Sequence, residues 1–231
     1  MKPDKPPLTR VKYWLMSHLP GKRGLRYLRK YSRSMPTSVQ AEFDAALEAA
    51  RGRICIDLGA NMGLATLQMA PVASHVYAFE PDPWTAQELR KAVGPLDNVT
   101  VIEAAAGTKE GTFPVYRSAK FGDDPRKGSL STTLVADKIN VDTTQPIDVK
   151  VLDFRAFLTE LDADIALIKI DIEGAEVALL EALFEDPVCA RIDHIFVETH
   201  ETRVPALAQR SIALRRRARN MRRPRVNMDW M

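Results

Sequence analysis

The sequence predicts an α/β fold with a mostly parallel sheet flanked by helices, and three observations support this prediction. From residue 53 onward, short β-branched apolar runs alternate with helical patterns, which is the order of parallel strands and crossover helices. A glycine-bearing turn follows the first of these strands, and a carboxylate ends the second. The 231 residues, of which 45% are apolar, suffice for one substantial core rather than two full domains.

The apolar periodicities place each element in turn. A capping-type start at Thr37 and the Ala-rich stretch after it predict a helix over 37–50. Apolar, β-branched runs predict strands at 53–57, 75–79, 99–104, 112–117, 147–152, 165–170 and 192–198. Helical patterns predict helices at 64–70, 84–93, 154–161, 175–183 and 204–219. The polar stretch 118–145 is too long for an ordinary connection, so we expect a lid or substrate loop there.

The distribution of charge divides the chain into three parts. Residues 1–33 carry ten Lys and Arg with one acid, and residues 203–231 carry nine Arg with one acid. The residues between them hold 14 basic and 28 acidic side chains, although the whole chain has a net charge of +3. We therefore expect a basic N-terminal helical arm over 1–50, a catalytic domain over 51–202, and an Arg-rich C-terminal helix or tail over 203–231.

Basic ends attract anionic partners, but electrostatics alone does not name one. The basic ends could bind an anionic substrate such as a nucleotide-linked sugar, an acidic membrane surface or nucleic acid. They could equally dock onto the acidic middle of the chain. Few aromatic residues interleave with the C-terminal arginines, which argues against a single-strand nucleic-acid binder. The sequence does not indicate an oligomeric state.

The cysteines and the hydropathy narrow the class of protein. Cys55 and Cys189 lie in apolar runs without CxxC spacing, which argues against a disulfide scaffold and a structural zinc site. No run approaches the roughly 18 to 20 apolar residues that span a bilayer, and the N-terminus lacks a secretory signal pattern. We expect a soluble, cytoplasmic protein.

The first candidate binding site is the turn DLGANMG at 57–63, where a strand gives way to a helix. Gly59 and Gly63 let the backbone approach a nucleotide-type cofactor, and Ala60 and Asn61 lie between them in the same turn. Dinucleotide enzymes use G-x-G-x-x-G to seat a pyrophosphate, whereas this turn has G-x-x-x-G preceded by Asp57. A carboxylate at the strand end would repel a pyrophosphate but hold an ammonium group. The charge therefore favours S-adenosylmethionine over NAD.

The second strand ends in Glu80 and Pro81, about twenty residues after the glycine turn. An acid at this position accepts hydrogen bonds from the ribose hydroxyls of an adenosine cofactor, so we expect Glu80 to bind ribose. At the end of the third strand, Glu103 is a candidate to lie against the adenine, with an exposed surface position as the alternative.

In combination, these residues resemble the FkbM family of methyltransferases. The resemblance rests on DLGANMG at 57–63, FEP at 79–81, KIDIEGAE at 169–176 and FVETH at 196–200, and it covers roughly residues 50 to 202. It implies a Rossmann-like class I methyltransferase fold, S-adenosylmethionine as cofactor, and O-methylation of sugars or other hydroxyls. The chain departs from longer relatives after His200, where a short Arg-rich tail replaces a further strand pair, so the sheet edge could be truncated.

The second candidate site lies where the strand over 165–170 ends. Because open parallel sheets bind ligands beyond the carboxyl ends of their strands, Asp171 is expected to face the methyl group and the acceptor, with Glu173 beside it. His200 ends another predicted strand and is the candidate proton acceptor near neutral pH, with Asp171 orienting the hydroxyl. A purely structural role, complementing a helix N-terminus, is the alternative for Glu173.

Other readings of these residues stay open. Asp171, Glu173 and Glu198 could assemble an oxygen-rich Mg²⁺ site, but their spacing does not fix its geometry and we assign no metal ligands. We predict an S-adenosylmethionine-dependent O-methyltransferase that acts on a hydroxyl of a sugar, a glycan precursor or a small metabolite. The alternatives are a nucleic-acid methyltransferase, suggested by the basic ends, and a non-catalytic binding module of the same fold. An NAD-dependent reductase conflicts with the glycine spacing.

Overall fold

The computed structural model describes residues 2–129, 132–138, 141–201 and 203–230, and it confirms the Rossmann-like α/β fold. Six parallel strands form the main sheet: β1 Ile54–Leu58, β2 His75–Phe79, β3 Val99–Ile102, β7 Ile165–Ile170, β8 Ile192–Val197 and β9 Arg225–Asn227. They lie side by side in the order β3-β2-β1-β7-β8-β9. The order reverses between β1 and β7, which creates a crevice at the carboxyl ends of these two strands.

The helices are α1 Pro7–Ser17, α2 Gly21–Ser32, α3 Pro36–Ala49, α4 Leu64–Met69, α5 Pro83–Val93, α6 Pro125–Gly128, α7 Phe154–Leu161, α8 Glu176–Glu185 and α9 Ala208–Asn220. One face of the main sheet is covered by α3, α4 and α5, and the other by α7, α8 and α9. Alternate side chains of a strand point to opposite faces. Ile56 accordingly packs in the cluster with α7, α8 and α9, while Cys55 packs in the cluster with α3 and α4. Among the described residues, no helix has the length and apolarity needed to cross a bilayer.

A second, smaller sheet corrects part of the predicted strand arrangement. The predicted strand over 99–104 ends at Ile102, and the chain then enters β4 Ala105–Gly107. This strand pairs in parallel with β6 Ile147–Asp153, which pairs antiparallel with β5 Gly111–Val115. The predicted strands over 112–117 and 147–152 therefore exist but lie outside the main sheet. Within the predicted lid, residues 130, 131, 139 and 140 lie outside the described part of the chain.

The C-terminal segment is built into the domain. The predicted helix over 204–219 starts with the 3-10 turn Pro205–Leu207 and continues as α9 to Asn220. The sequence analysis did not predict β9, which pairs in parallel with β8. Residues 203–230 thus supply one strand of the main sheet, rather than a tail beside it. Residues 202 and 231, which bound the predicted domain and tail, lie outside the described residues.

The C-terminal arginines dock onto the acidic part of the chain, as one of the sequence alternatives proposed. The ion pairs join Arg210 to Glu181, Arg217 to Glu185, Arg223 to Asp193, and Arg215 to Glu201 and Asp229. Arg215 is buried, and its guanidinium also donates to the Thr199 hydroxyl at 2.7 Å. Much of the C-terminal positive charge is therefore neutralised within the fold.

Candidate active site

The turn after β1 is shaped by two glycines with left-handed backbone. Gly59 has φ +74°, and a Cβ added to it would lie 1.8 Å from the carbonyl oxygen of Asp171. The turn after β1 and the turn after β7 therefore touch at the switch point of the sheet. Gly63 has φ +90° and stands immediately before α4. Since an L-residue strongly disfavours this region, both positions require glycine.

Each backbone N–H of residues 59–63 has a hydrogen-bond acceptor within the protein. Gly59 and Ala60 donate to the carbonyl of Phe79 at 3.0 and 2.9 Å. Asn61 donates to Glu80 Oε2 at 2.9 Å. The N–H groups of residues 62 and 63 donate to the Asn61 side chain and the Ala60 carbonyl. The N–H groups of this turn are therefore engaged within the protein.

Asp57 does not face the cavity, contrary to the expected contact with an ammonium group. Its side chain is fully buried, with Lys169 Nζ 3.1 Å from Oδ1 and the Thr66 hydroxyl donating to Oδ2 at 2.7 Å. Lys169 also donates to the carbonyl of Gly59 at 2.7 Å. Burial opposes the charged form of this lysine, but Asp57 and Asp171 outweigh it and raise the Lys169 pKa. Asp57 thus fixes a buried lysine that supports the glycine turn.

Glu80 lies in the crevice with both carboxylate oxygens anchored by backbone. Oε2 accepts from Asn61 N, and Oε1 accepts from Asp82 N at 3.0 Å. Burial raises the pKa of Glu80 to about 7, although these hydrogen bonds act in the opposite direction. A carboxylate has about four acceptor positions, so each oxygen retains one for a ligand. Pro81 lines the same cavity.

The cavity beside Glu80 is bordered by three of the turns that follow strands. The turns after β1 and β2 contribute Gly59, Asn61, Glu80 and Pro81, with Phe79 at the end of β2. The turn after β7 contributes Asp171, Ile172 and Glu173. Glu103, a candidate to lie against the adenine, is exposed, pairs with Arg90 at 2.7 Å and does not line this cavity, as in the exposed surface position given as its alternative. Because β3 ends at Ile102, the wall is formed by Ala104, Ala105 and Ala106 instead. The small side chains leave space for a flat ring.

Four carboxylates surround the ring of His200, which is buried. Its Nε2 lies 3.2 Å from Glu173 Oε2, 3.8 Å from Asp171 Oδ1 and 3.8 Å from Glu198 Oε1. On the other side of the ring, Nδ1 lies 3.3 Å from Glu176 Oε1, an oxygen that also accepts from the His200 backbone N–H at 2.8 Å. The structure therefore brings together the predicted residues Asp171, Glu173 and His200.

The charge state of His200 differs from the one expected of a proton acceptor. Burial opposes its protonated form, but Glu176, Glu173 and Asp171 outweigh burial and raise the His200 pKa to about 9. An imidazolium has no lone pair with which to take a proton, so a base role at neutral pH does not fit. Burial and the Asp171 carboxylate raise the pKa of Glu198 to about 7, and burial raises the pKa of Asp171.

The family follows from comparison with known sequences. The chain matches the Methyltransferase FkbM domain over residues 57–218, which covers the glycine turn, Glu80 and the carboxylate cluster. The chain belongs to the FkbM methyltransferase family. This confirms the resemblance identified from the motifs.

Two further comparisons place this FkbM methyltransferase among known proteins. It is 30% identical to the 2-O-methyltransferase NoeI of Sinorhizobium fredii over 133 residues, which are 53% of this chain and 54% of that relative. The match therefore spans about half the length of that relative. The crystal structure of methyltransferase FkbM from Methylobacillus flagellatus KT aligns with a TM-score of 0.43 and 16% identity, covering 71% of this chain and 37% of that one.

Residues of the predicted lid also reach this FkbM site, although the sequence analysis did not single them out. The Lys138 ammonium is buried and pairs with Glu173, and the Thr133 hydroxyl donates to the Glu173 carbonyl at 2.6 Å. Immediately before the lid, Arg117 pairs with the buried carboxylate of Asp82 at 2.6 Å. The sequence gives no local signal of these two ion pairs, because the partner lies 35 residues away along the chain in both cases.

The backbone at Glu173 is held in an uncommon conformation. Its φ is +54°, and the next residue, Gly174, has φ +115°. Such strain concentrates at functional sites, where the surroundings enforce it. Here Lys138 and Arg203 pair with the Glu173 carboxylate, with the arginine at 3.0 Å, and Gly174 N donates to Glu176 at 2.7 Å. These contacts turn Glu173 toward His200 rather than along the following helix.

The geometry of this cluster also bears on the Mg²⁺ alternative. One ligand atom from each of Asp171, Glu173 and His200 lies within 4.8 Å of the others, which is close enough to share an ion. The protein already places cations of its own here, namely protonated His200, Lys138 and Arg203. These cations offset part of the carboxylate charge.

Proposed function

We propose that this FkbM methyltransferase transfers the methyl group of S-adenosylmethionine to a hydroxyl of a sugar, a glycan precursor or a small metabolite. The observation that carries the proposal is that Glu80 and Asp171 line one cavity at the switch point of the sheet, beside an apolar wall. Ligands of open α/β sheets bind at this place. The similarity to a 2-O-methyltransferase supports oxygen as the atom that is methylated.

The residues of the cavity fit an adenosyl methyl donor. Glu80 retains acceptor positions for the two ribose hydroxyls, and the wall of small apolar side chains suits a purine. Gly59 leaves the space between the turns after β1 and β7 free of a side chain. When bound, the donor supplies a methyl group on a positively charged sulfur. Asp171 and Glu80 would stabilise that charge, whereas a pyrophosphate would be repelled.

Asp171 is the proposed catalytic residue on the acceptor side. Asp171 lines the cavity, while its Oδ1 is buried on the side of His200, 3.8 Å from Nε2. Burial raises the pKa of this carboxyl, so it binds a proton more readily than an exposed aspartate. We assign to Asp171 the hydrogen bond from the acceptor hydroxyl and the uptake of its proton, which would accompany formation of the new C–O bond and cleavage of the donor's S–CH3 bond, with S-adenosylhomocysteine as the leaving group. Much of the rate enhancement would come from holding the hydroxyl in line with the methyl group.

His200 and Glu173 act as positioning residues in this proposal. The imidazolium of His200 lies within 4 Å of four carboxylates and so holds them together despite their mutual repulsion. Glu173 links this cluster to the lid through Lys138. A second recess continues from Glu198 and His200 and is bordered by Arg29, Arg33 and Arg203. These arginines would favour an acceptor that carries a negative charge near the reacting hydroxyl.

Methyl transfer to candidate acceptors tests the proposal. Purified protein with S-adenosylmethionine is incubated separately with neutral sugars, nucleotide-linked sugars, RNA and DNA, and products are analysed by mass spectrometry. We expect one added methyl group on a sugar hydroxyl. Methylation of RNA or DNA alone would establish the nucleic-acid alternative. Absence of transfer to every class, in a folded protein that also fails to bind the donor, would support the non-catalytic module.

A substitution tests whether Asp171 acts in the methyl-transfer step rather than in donor binding. Asp171→Asn should reduce kcat by about 100-fold or more while the affinity for S-adenosylhomocysteine stays within a factor of about two, because a general base contributes on this scale. The matched control is Asp97→Asn, which changes an exposed aspartate. Equal losses of turnover and of ligand affinity in Asp171→Asn would contradict the assigned role.

A further inference from the structure

Helix α1 carries an apolar face that is open to solvent in the described structure. Leu8 is 85% exposed, Leu15 58% and Val11 53%, and Trp14 and Leu19 are also exposed. The described residues include seven exposed large apolar side chains, and these are five of them. Soluble proteins scatter such residues singly, whereas a contiguous patch marks an interaction surface.

The exposed side chains form a stripe whose direction is fixed by the packing of α1 against α2. Leu8, Val11 and Leu15 follow the spacing i, i+3, i+7 and so share one side of the helix. The other side faces α2, where the rings of Tyr13 and Tyr27 lie 6.1 Å apart. A Cβ at Gly24 of α2 would lie 1.8 Å from the carbonyl oxygen of Leu19, so the two helices meet closely there. Leu8 and Leu15 are therefore open to solvent, while Val11 of the same stripe borders a recess.

The surroundings of the stripe are strongly basic. Residues 1–33 contain ten Lys and Arg and one acid, Asp4. This acid is engaged, since it accepts from the backbone N–H of Thr37 at 2.8 Å and pairs with Arg10 at 3.9 Å. Among the described side chains, that is the one ion pair formed by the basic residues of this segment. In contrast to the C-terminal arginines, most basic side chains of this segment form no ion pair within the described residues.

Basic and aromatic side chains meet beside the stripe. A recess of about 430 Å³ is lined by Val11, Trp14 and Tyr31 together with Arg10 and Arg219. Two guanidinium groups beside an apolar surface match the chemistry of a phosphate that is attached to an acyl chain. Lys12 is exposed one turn from Leu8 and adds charge at the border of the stripe.

We propose that α1 docks on a membrane surface that contains anionic phospholipid. The helix lies in the plane of the surface, with the stripe inserted at the depth of the headgroups and Arg10, Lys12 and Arg219 next to phosphates. Amphipathic helices with apolar and basic sides bind in this way, by burying apolar area and by attraction to anionic lipid. Trp14 suits the interface because its ring is apolar while its N–H stays near water. This inference does not depend on the proposed methyl acceptor.

Sedimentation with lipid vesicles tests the proposal on the full chain. The vesicles are phosphatidylcholine alone or a mixture with phosphatidylglycerol. We expect binding to the mixed vesicles that weakens as salt is added, since salt screens exposed charges. Leu8→Ser/Leu15→Ser should lower the partition coefficient at least about tenfold, because each leucine loses its burial in lipid. Leu64→Ser/Leu67→Ser, which changes two exposed leucines of α4, is the matched control and should bind like the wild type.

Fluorescence and light scattering complete the test. Trp14 emission should shift to shorter wavelength with mixed vesicles, and Trp14→Phe should lose this shift while remaining folded by circular dichroism. The proposal is overturned if folded wild-type protein fails to bind mixed vesicles at low salt, or if both double variants lose binding equally. It is also overturned if light scattering shows a dimer that Leu8→Ser/Leu15→Ser dissociates and vesicles do not bind, since the stripe would then contact a second copy.

Discussion

The buried imidazole of His200 makes the stability of this methyltransferase depend on pH in a defined direction. Burial opposes its charged form, but the surrounding carboxylates raise the His200 pKa to about 9 from an ordinary 6.5. The folded protein therefore keeps a proton that the unfolded chain releases near pH 6.5. The resulting stabilisation is fully present below pH 6.5 and is lost as the pH rises through 9.

The gap between these two pKa values sets the size of the effect. A difference from 6.5 to about 9 corresponds to about 3 kcal/mol in the free energy of unfolding. That is a substantial part of the roughly 5 to 15 kcal/mol that stabilises a typical domain. Urea unfolding of the wild type, measured at intervals from pH 6 to pH 9.5, should show a fall of this size.

Two variants identify the histidine that causes the fall. His200→Asn removes the titrating ring, so the fall between about pH 7 and pH 9.5 should be smaller than in the wild type, while His75→Asn at the amino end of β2 should keep the wild-type trend. If His200→Asn does not fold, the ring resonances of wild-type His200 in an NMR titration should still show a midpoint near pH 9. A midpoint below 7, or wild-type stability that stays constant up to pH 9, would refute the reasoning.

Three further substitutions probe the turns and the buried charges. Gly59→Ala places a Cβ 1.8 Å from the carbonyl oxygen of Asp171, so we expect a lower Tm and loss of donor binding; a wild-type Tm would contradict this contact. Lys169→Met leaves Asp57 as an unpaired buried charge and should cost about 3–5 kcal/mol in urea unfolding, which Asp57→Asn added to it should partly restore. Since burial raises the pKa of Glu80 to about 7, its contribution to stability falls as the pH rises from about 4.5 to 7, and Glu80→Gln should remove that part of the urea-unfolding pH profile.

The sequence predicted the elements that position the site because their signals are local. Apolar runs marked the buried strands, and the glycine turn after Asp57 marked the switch-point crevice. The sequence did not predict which strands belong to which sheet. The strand β9 has three residues and no apolar run, and β5 and β6 form their own sheet through a pairing that no local pattern reveals.

The roles of individual acids were harder to predict, because charge partners are set by tertiary structure. Asp57 looked available for a ligand, yet Lys169 lies against it across two neighbouring strands. Glu103 was placed at the adenine on the assumption that the third strand continued to residue 104, whereas β3 ends at Ile102 and the side chain turns toward Arg90. His200 was expected near its ordinary pKa, but the carboxylates that raise this pKa come from residues 171–176 after β7, whereas His200 follows β8.

The central claim is that this cavity binds an adenosyl methyl donor through Glu80, and calorimetric titration tests it most directly. S-Adenosylmethionine, S-adenosylhomocysteine and NAD are titrated into the wild type, Glu80→Ala and the matched variant Glu103→Ala. We predict micromolar binding of both adenosyl ligands, about −8 kcal/mol, with none for NAD. Glu80→Ala should weaken this binding about tenfold or more, and Glu103→Ala should leave it unchanged. Binding of NAD, or equal affinities in the wild type and Glu80→Ala, would contradict the account.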